Sequence, residues 1–307
     1  MSKRFHRDVD GILLLDKALG VSSNTALQQV RELYAAVKAG HAGSLDPLAS
    51  GLLPVCFGQA TKVCGRLLNS GKSYRVVVQL GELTASGDAE TEVIERAPVL
   101  DLTAAGVDAV LASFLGDQQQ VPPMHSALKF EGKRLYELAR RGESVERPPR
   151  SIVIHRIARV TSEDNLGTGQ LEFDAYCSKG TYIRTLAADI AIKLGTLGYV
   201  KGLRRLSVDP FGDLPMYTLE ALSPQSGDEL TARLLAIDTA FIDLPRLELD
   251  RTAEQSLLLG RTVSPQSAAP AGEARLYGEG GRFLGLGEGQ EGGRVKPSRL
   301  FVTVANR

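Results

Sequence analysis

The sequence predicts an α+β fold followed by a small β-rich module. Strand-like and helix-like segments are mixed over residues 1–244 without the regular alternation of a parallel α/β sheet. Composition changes after Leu244-Pro245: residues 264–272 are rich in proline, alanine and serine, and short apolar runs then alternate with glycine-rich turns. The length of 307 residues, 43% of them hydrophobic, suits about two domains, here 1–244 and 245–307. The second part is short for a large core but within the range that can fold.

The elements follow in order. Gly11-Ile12-Leu13-Leu14-Leu15 is an apolar run that reads as a buried strand; it ends at Asp16-Lys17, and Gly20 permits a turn. Ser22, Ser23 and Asn24 offer N-caps for a helix carrying Leu27, Val30, Tyr34 and Val37, closed by Gly40. Residues 40–51 are glycine-punctuated and short in side chain, which predicts a loop, and residues 74–80 are β-branched and predict a strand. Thr103 is placed to cap a helix through Leu115; Val121-Pro122-Pro123 breaks it, and a basic helix follows over 135–141. Strands are expected over 152–160 and 170–177, the second with Leu171, Phe173, Ala175 and Cys177 on one buried face. After the turn Ser178-Lys179-Gly180, Thr181 can cap a helix bearing Ile183, Leu186, Ile190 and Leu194 and stopped by Gly195, which puts Arg184 in its first turn. Residues 274–277, 283–286 and 300–304 are the strand candidates of the last module.

Formal net charge is zero, so any nucleic-acid footprint must come from patterning. Residues 81–117 are acidic, whereas Lys129, Lys133, Arg134, Arg140, Arg141, Arg147, Arg150, Arg156 and Arg159 form a basic stretch just downstream. That pattern fits a basic face beside an acidic flank, and equally a solvated helix face. The three cysteines, Cys56, Cys64 and Cys177, have no C-x-x-C spacing, which fits a reducing compartment and neither disulfide framework nor zinc knuckle. The histidines (His6, His41, His125, His155) make no H-E-x-x-H, so no metal site is expected. With no signal peptide, transit segment or apolar run of about 18 residues, a cytoplasmic protein is expected. Gly71-Lys72-Ser73 resembles the end of a phosphate-binding loop, but the glycine required five residues earlier is Arg66.

Gly40 to Gly51 presents a single carboxylate, Asp46, among glycines that let backbone approach a ligand, with Pro47 rigidifying the chain just after it. A loop aspartate is most often a turn residue, and the residues alone leave that reading open. The wider stretch GHAGSLDPLASGLLPVCFGQATK resembles the active-site loop of the bacterial tRNA pseudouridine-55 synthases, the TruB family, at every fixed position of G-H-x-G-x-L-D-P-x-A-x-G-x-L-x-[IV]-x-x-G-x-A-T-K. GILLLDKALG resembles the family's opening motif, with Ala18 where proline is usual. Lys72-Ser73-Tyr74, Gln120-Val121-Pro122-Pro123 with Ser126-Ala127-Leu128-Lys129, Cys177-Ser178-Lys179-Gly180-Thr181-Tyr182-Ile183-Arg184-Thr185-Leu186 and Leu203-Arg204-Arg205 resemble its further motifs, in order. The likeness is strong over residues 9–210 and loose beyond. Two departures stand out: Ala85 lacks the carboxylate of the usual T-D-T-x-D that ends at Asp88, and His125 stands where an aromatic is common.

The resemblance implies a mixed-sheet pseudouridine synthase catalytic domain, a basic RNA-binding insertion at about 124–152 and a PUA-like C-terminal domain. It implies isomerisation of the T-loop uridine of tRNA at position 55. That reaction breaks N1–C1′, turns the base and rejoins it through C5; nothing is oxidised, so no cofactor is required. Asp46 would be the nucleophile or base on a flipped-out uridine, with attack at C1′, attack at C6 and a glycal route all open. Arg184 would pair with Asp46 and orient it. Tyr74 would stack on the uracil, Leu203 would close the apolar wall, and His41 would fill the space the base leaves. The expected partner is the tRNA T stem-loop, with no membrane, no obligate protein partner, and a monomer in solution.

Overall fold

The computed structural model describes residues 7–126 and 128–301. His6, Ala127 of the S-A-L-K motif and residues 302–304 of the last expected strand lie outside them.

One mixed sheet organises the larger part. Its strands are β1 (Gly11–Lys17), β2 (Ala39–His41), β3 (Ala49–Phe57), β4 (Lys72–Leu80), β5 (Gly116–Gln120), β6 (Arg150–Arg159), β7 (Gln170–Cys177) and β8 (Gly198–Val208). The order is β1-β3-β8-β4-β7-β6-β5, with β2 beside β3. Only the β3–β8 pair is parallel; the other pairings are antiparallel. The α+β expectation is met.

The two ends of this sheet are buried differently, and the sequence shows why. In β1 the run GILLL is apolar throughout because both faces are covered: Ile12 and Leu14 enter one hydrophobic cluster, Leu13 and Leu15 another. In β4 and β7 the residues alternate. Tyr74, Val76, Val78, Leu171, Phe173 and Ala175 share one core, while Arg75 on the solvent face pairs with Asp174 at 2.9 Å. Helix α2 (Ala104–Ala112) and helix α3 (Ile183–Lys193) cover that core face through Val107, Leu111, Ile183, Leu186 and Ile190.

Several expectations are corrected. The predicted loop over 40–51 is shorter, since β2 takes Gly40 and His41 and β3 starts at Ala49. Gly51 is needed there: a Cβ would lie 2.2 Å from the Arg205 carbonyl oxygen, where β3 and β8 meet. Helix α1 (Ser23–Leu33) is capped by Ser22 as expected, but it ends at Leu33, so Val37 is outside it and exposed. Thr103 caps α2, which stops at Ala112 rather than Leu115, and the basic helix is one short turn, Leu135–Ala139. Thr181 does not cap α3: its hydroxyl donates to Ser178 O at 3.0 Å, and the N-cap is Tyr182.

Beyond Pro245 a four-stranded sheet forms in the order β9 (Arg246–Glu248), β10 (Glu273–Tyr277), β11 (Phe283–Gln290), β12 (Arg294–Leu300). It is β-rich as expected. It also packs on the larger part: the rings of Phe241, Phe283 and Phe301 meet in tilted pairs at 5.4–6.2 Å between centroids, and Arg66 pairs with Asp243 and Glu273 at 2.8 and 3.2 Å.

Candidate active site

The Asp46 loop is held at its neck. Ser23, in the first turn of α1, donates its hydroxyl to Leu45 O at 3.0 Å and accepts from Leu45 N at 2.8 Å. Gly20 N donates to Pro47 O at 2.8 Å, and Ala49 N to Asp46 O at 3.0 Å, closing a turn at the aspartate. Lys17 is buried at the end of β1 and donates to Ala18 O at 2.9 Å and Val21 O at 2.6 Å. Burial lowers its pKa, and the nearby Asp46 charge opposes that. The Ala18 departure is accommodated here, because the contact uses a backbone carbonyl that alanine supplies as well as proline does.

Asp46 itself is 47% exposed. Its partner comes from α3: Arg184 Nη2 lies 3.2 Å from Asp46 Oδ2, and Arg184 Nη1 lies 3.3 Å from Asp88 Oδ2. Two carbonyls complete the guanidinium shell, Ser86 O at 3.0 Å and His125 O at 2.7 Å. Asp88 is buried, and its other oxygen accepts from Ser86 Oγ at 2.6 Å and Glu90 N at 3.0 Å. A buried arginine thus joins one buried and one accessible carboxylate, an arrangement that balances charge and fixes direction. Neither departed side chain enters this shell: Ala85 is exposed, and position 125 contributes only its backbone carbonyl.

Tyr74 and Leu203 face the same region. Tyr74 on β4 is buried in one cluster with Leu45 and Ala49, and Leu203 on β8 packs against that cluster with Ala49 as its register partner on β3. Burial raises the Tyr74 pKa, and the Arg205 guanidinium beside it offsets part of the rise. His41 is placed apart, on β2. Among the described residues no hydrogen bond joins it to Asp46 or Arg184, and its Nδ1 is buried without a partner. Burial, then the Arg205 charge, push its pKa below the usual 6.5, so the ring is neutral at neutral pH.

Three residues that build this site are not evident from the sequence: Asp88, Lys17 and Arg205. Asp88 closes the departed T-D-T-x-D motif, Lys17 sits in the opening motif and Arg205 ends L-R-R, so the motifs marked their positions without giving their partners. Arg205 is 1% exposed. It donates from Nε to Leu52 O at 2.6 Å and from Nη2 to Gly43 O at 3.0 Å. Arg204, its neighbour on the strand, turns to the other face and binds Asp16 with both nitrogens at 2.9 and 2.7 Å.

A cavity of about 890 Å³ opens elsewhere, between the helix Cys64–Leu68 and the C-terminal sheet, and none of the site residues lines it. Its carboxylates, Asp209, Asp243 and Glu273, outnumber Arg66 and Arg299. Among the described residues no His, Cys, Asp or Glu cluster could hold a metal ion, and no helix is long and apolar enough to cross a membrane.

Comparison with known proteins accounts for nearly the whole chain. Residues 31–183 match the profile of the TruB family pseudouridylate synthase N-terminal domain. Residues 184–242 match the tRNA pseudouridylate synthase B C-terminal domain, and 245–301 the C-terminal domain of pseudouridine synthase II TruB. The chain is 49% identical over 299 residues to tRNA pseudouridine synthase B of Methylobacillus flagellatus, covering 97% of each chain. It is 48% identical to the protein of that name from Chromohalobacter salexigens, covering 97% of this chain and 96% of that one. Among solved structures the fold resembles a Cbf5-Nop10-Gar1 complex, with TM-score 0.72, 22% identity and coverage of 95% of this chain and 85% of that one. It also resembles an H/ACA RNP bound to a substrate RNA containing 2'-deoxyuridine, with TM-score 0.71, 20% identity and coverage of 98% and 86%. Sequence identity near one half over 97% of a curated relative decides membership, and the chain belongs to the TruB family of pseudouridylate synthases.

Proposed function

We propose that this enzyme converts the T-loop uridine at position 55 of tRNA to pseudouridine, with Asp46 acting on the flipped-out nucleotide. The observation that carries the reading is the exposed Asp46 carboxylate fixed from behind by Arg184, which is itself fixed by buried Asp88. The isomerisation breaks N1–C1′ and forms C5–C1′; C5 loses a proton and N1 gains one, so atoms and electrons balance without a cofactor. Asp46 serves as nucleophile or base in that sequence, and Arg184 keeps its oxygen aimed outward. Extruding a base from a folded loop costs a few kcal/mol. Stacking on Tyr74, worth about 1–3 kcal/mol, offsets part of this, and neutral His41 fills the vacated place. Leu203 walls the pocket.

In this reading residues 1–244 perform catalysis, the basic insertion at about 124–152 closes over the RNA backbone, and residues 245–307 contact the acceptor side. The relatives called tRNA pseudouridine synthase B favour tRNA as substrate. We infer further that a monomer acts in the cytoplasm without an obligate protein partner. The test is pseudouridine mapping on tRNA and on a bare T-arm stem-loop incubated with purified protein. Asp46→Asn is expected to abolish turnover and leave tRNA affinity within about tenfold, or ~1.4 kcal/mol. Substantial pseudouridine formation by that variant, or modification at another position only, overturns the assignment.

A further inference from the structure

Gln120 is the last residue of β5, where the chain leaves the sheet for the basic insertion. Its register partner on β6 is Arg150, where the chain returns. The side chain is buried at 4% exposure. Its Oε1 accepts from Tyr182 N at 2.7 Å, and its Nε2 donates to Tyr182 O at 3.1 Å. A carboxamide can donate and accept at once from two fixed atoms without carrying charge, and it does so here across 62 residues of sequence.

Tyr182 is the N-cap of α3, and no side chain of its own caps that helix. Thr181, the expected cap, is bonded to Ser178 instead. The carboxamide of Gln120 therefore supplies the fixed point of the first turn, and Arg184 stands two residues further on. The guanidinium end is held from the same segment, through His125 O at 2.7 Å. Residues 120–125 thus grip Arg184 at both its backbone root and its head, at the point where the RNA-binding insertion begins.

We propose that Gln120 is a positioning residue for pseudouridine formation: it ties the root of the insertion to the first turn of α3 and so sets the reach of Arg184 to Asp46. This rests on the roles proposed for Asp46 and Arg184. The contact it controls is 3.2 Å long, and a misplacement of ~1 Å in such a constellation costs about 10²-fold in rate.

Single-turnover rates with saturating tRNA, tRNA affinity and thermal melts test this in the full chain. Gln120→Met keeps the length and removes both bonds. It should lower the rate by about 10²-fold with affinity within about threefold, the kcat-type loss expected when transition-state geometry alone is disturbed. Combined with Arg184→Lys it should be no slower than Arg184→Lys alone, because both act on one contact. Gln120→Glu keeps an acceptor for Tyr182 N but sets an ionised carboxylate against Tyr182 O in place of the donor, so it too should lower the rate with affinity within about threefold. This variant carries the test if Gln120→Met fails to melt cooperatively. A rate within about threefold of the parent for Gln120→Met or for Gln120→Glu, or multiplicative losses with Arg184→Lys, each overturn the proposal. The parent enzyme in the same assay separates the two readings: failure to modify the T loop defeats the proposed function, whereas normal parent activity with unaffected Gln120 variants defeats only this inference.

Discussion

Arg184 and Arg205 approach the Asp46 loop from different elements, the first from helix α3 and the second from strand β8. Both are buried, yet they are satisfied in opposite ways. Arg184 lies between two carboxylates. Arg205 meets the backbone carbonyls of Leu52 and Gly43, and among the described residues no carboxylate is within ion-pair distance of it. The first arginine therefore fixes the side chain proposed to do the chemistry, and the second fixes the backbone that carries it. The difference also shapes the field. Burial lowers the pKa values of Lys17, His41 and Lys72, and the Arg205 charge adds to that lowering in each; at Lys17 the Asp46 charge opposes both. A buried positive potential of this kind suits a loop that holds an aspartate and, in the proposed function, receives a polyanion. Gly43 is where the two demands meet: its φ is +82°, and a Cβ there would lie 3.4 Å from Arg205 Nη1 and 3.6 Å from Lys72 Cε.

Removing the ion-paired arginine should have the largest effect. Arg184→Ala leaves Asp88 buried without a cation, and breaking a buried pair from one side costs about 3–5 kcal/mol. The expected result is an earlier melt together with a kcat loss of at least about 10²-fold. Adding Asp88→Asn should restore part of the stability and none of the rate. Recovery of rate in the double variant would show that Arg184 serves folding alone.

Arg205→Met should invert that balance. It orphans two carbonyls, each worth about 1–3 kcal/mol when left unsatisfied. Stability measured by denaturant titration should fall more conspicuously than kcat. In the same variant the His41 ring, followed by NMR titration, should gain protons at higher pH than in the parent; an unmoved midpoint would mean that the Arg205 field does not reach it.

Lys72 offers a smaller readout of the same field. It is buried and donates to Leu67 O, Leu68 O and Ser70 O. Burial, then Arg205, push its pKa from 10.5 down to about 8. Between those values the unfolded chain holds the proton more tightly than the folded one, so this group's contribution to stability rises with pH from about 8 to 10.5 and is flat below. The difference between the parent and Lys72→Met in stability against pH should show that positive slope, and a flat difference would refute it.

The exposed arginines of the insertion form a third class, with the smallest effect. Arg140 and Arg141 lie at the surface. Each alanine substitution should reduce the slope of log affinity against log salt by about 0.7–0.9. An unchanged slope would place them away from phosphate. Arg159, from the same basic stretch, already binds Asp108 at 2.8 and 3.0 Å, so its loss should leave the slope alone.

Local physics made part of this molecule legible. The alternation in 170–177 gave β7 with its observed bounds, Gly11 to Leu15 marked a strand covered on both faces, and Ser22 and Thr103 cap helices as their side chains suggest. Strand β3 is hidden because Gly51 and Pro54 read locally as breakers. Strand β8 is hidden because GYVKGLRRLSV sets two arginines side by side, and each is satisfied only by residues distant in sequence. At the site, Asp46 and Arg184 were legible through motifs. The pairing of Arg184 with Asp88, and the bond from Gln120 to Tyr182, arise from long-range packing that no local window contains.

The apolar cluster beneath β1 bears on how the chain is made. Ile12 and Leu14 share that cluster with Phe241, Leu286 and Phe301. On a translating ribosome, synthesis runs at about 5–20 residues per second and domains fold as they emerge. The first strand leaves the exit tunnel long before the aromatic residues that cover it are added. A nascent chain stalled near Leu244 therefore carries its Asp46 loop while one wall of that loop's support is still wet, a transient hydrophobic surface of the kind that makes chaperones necessary.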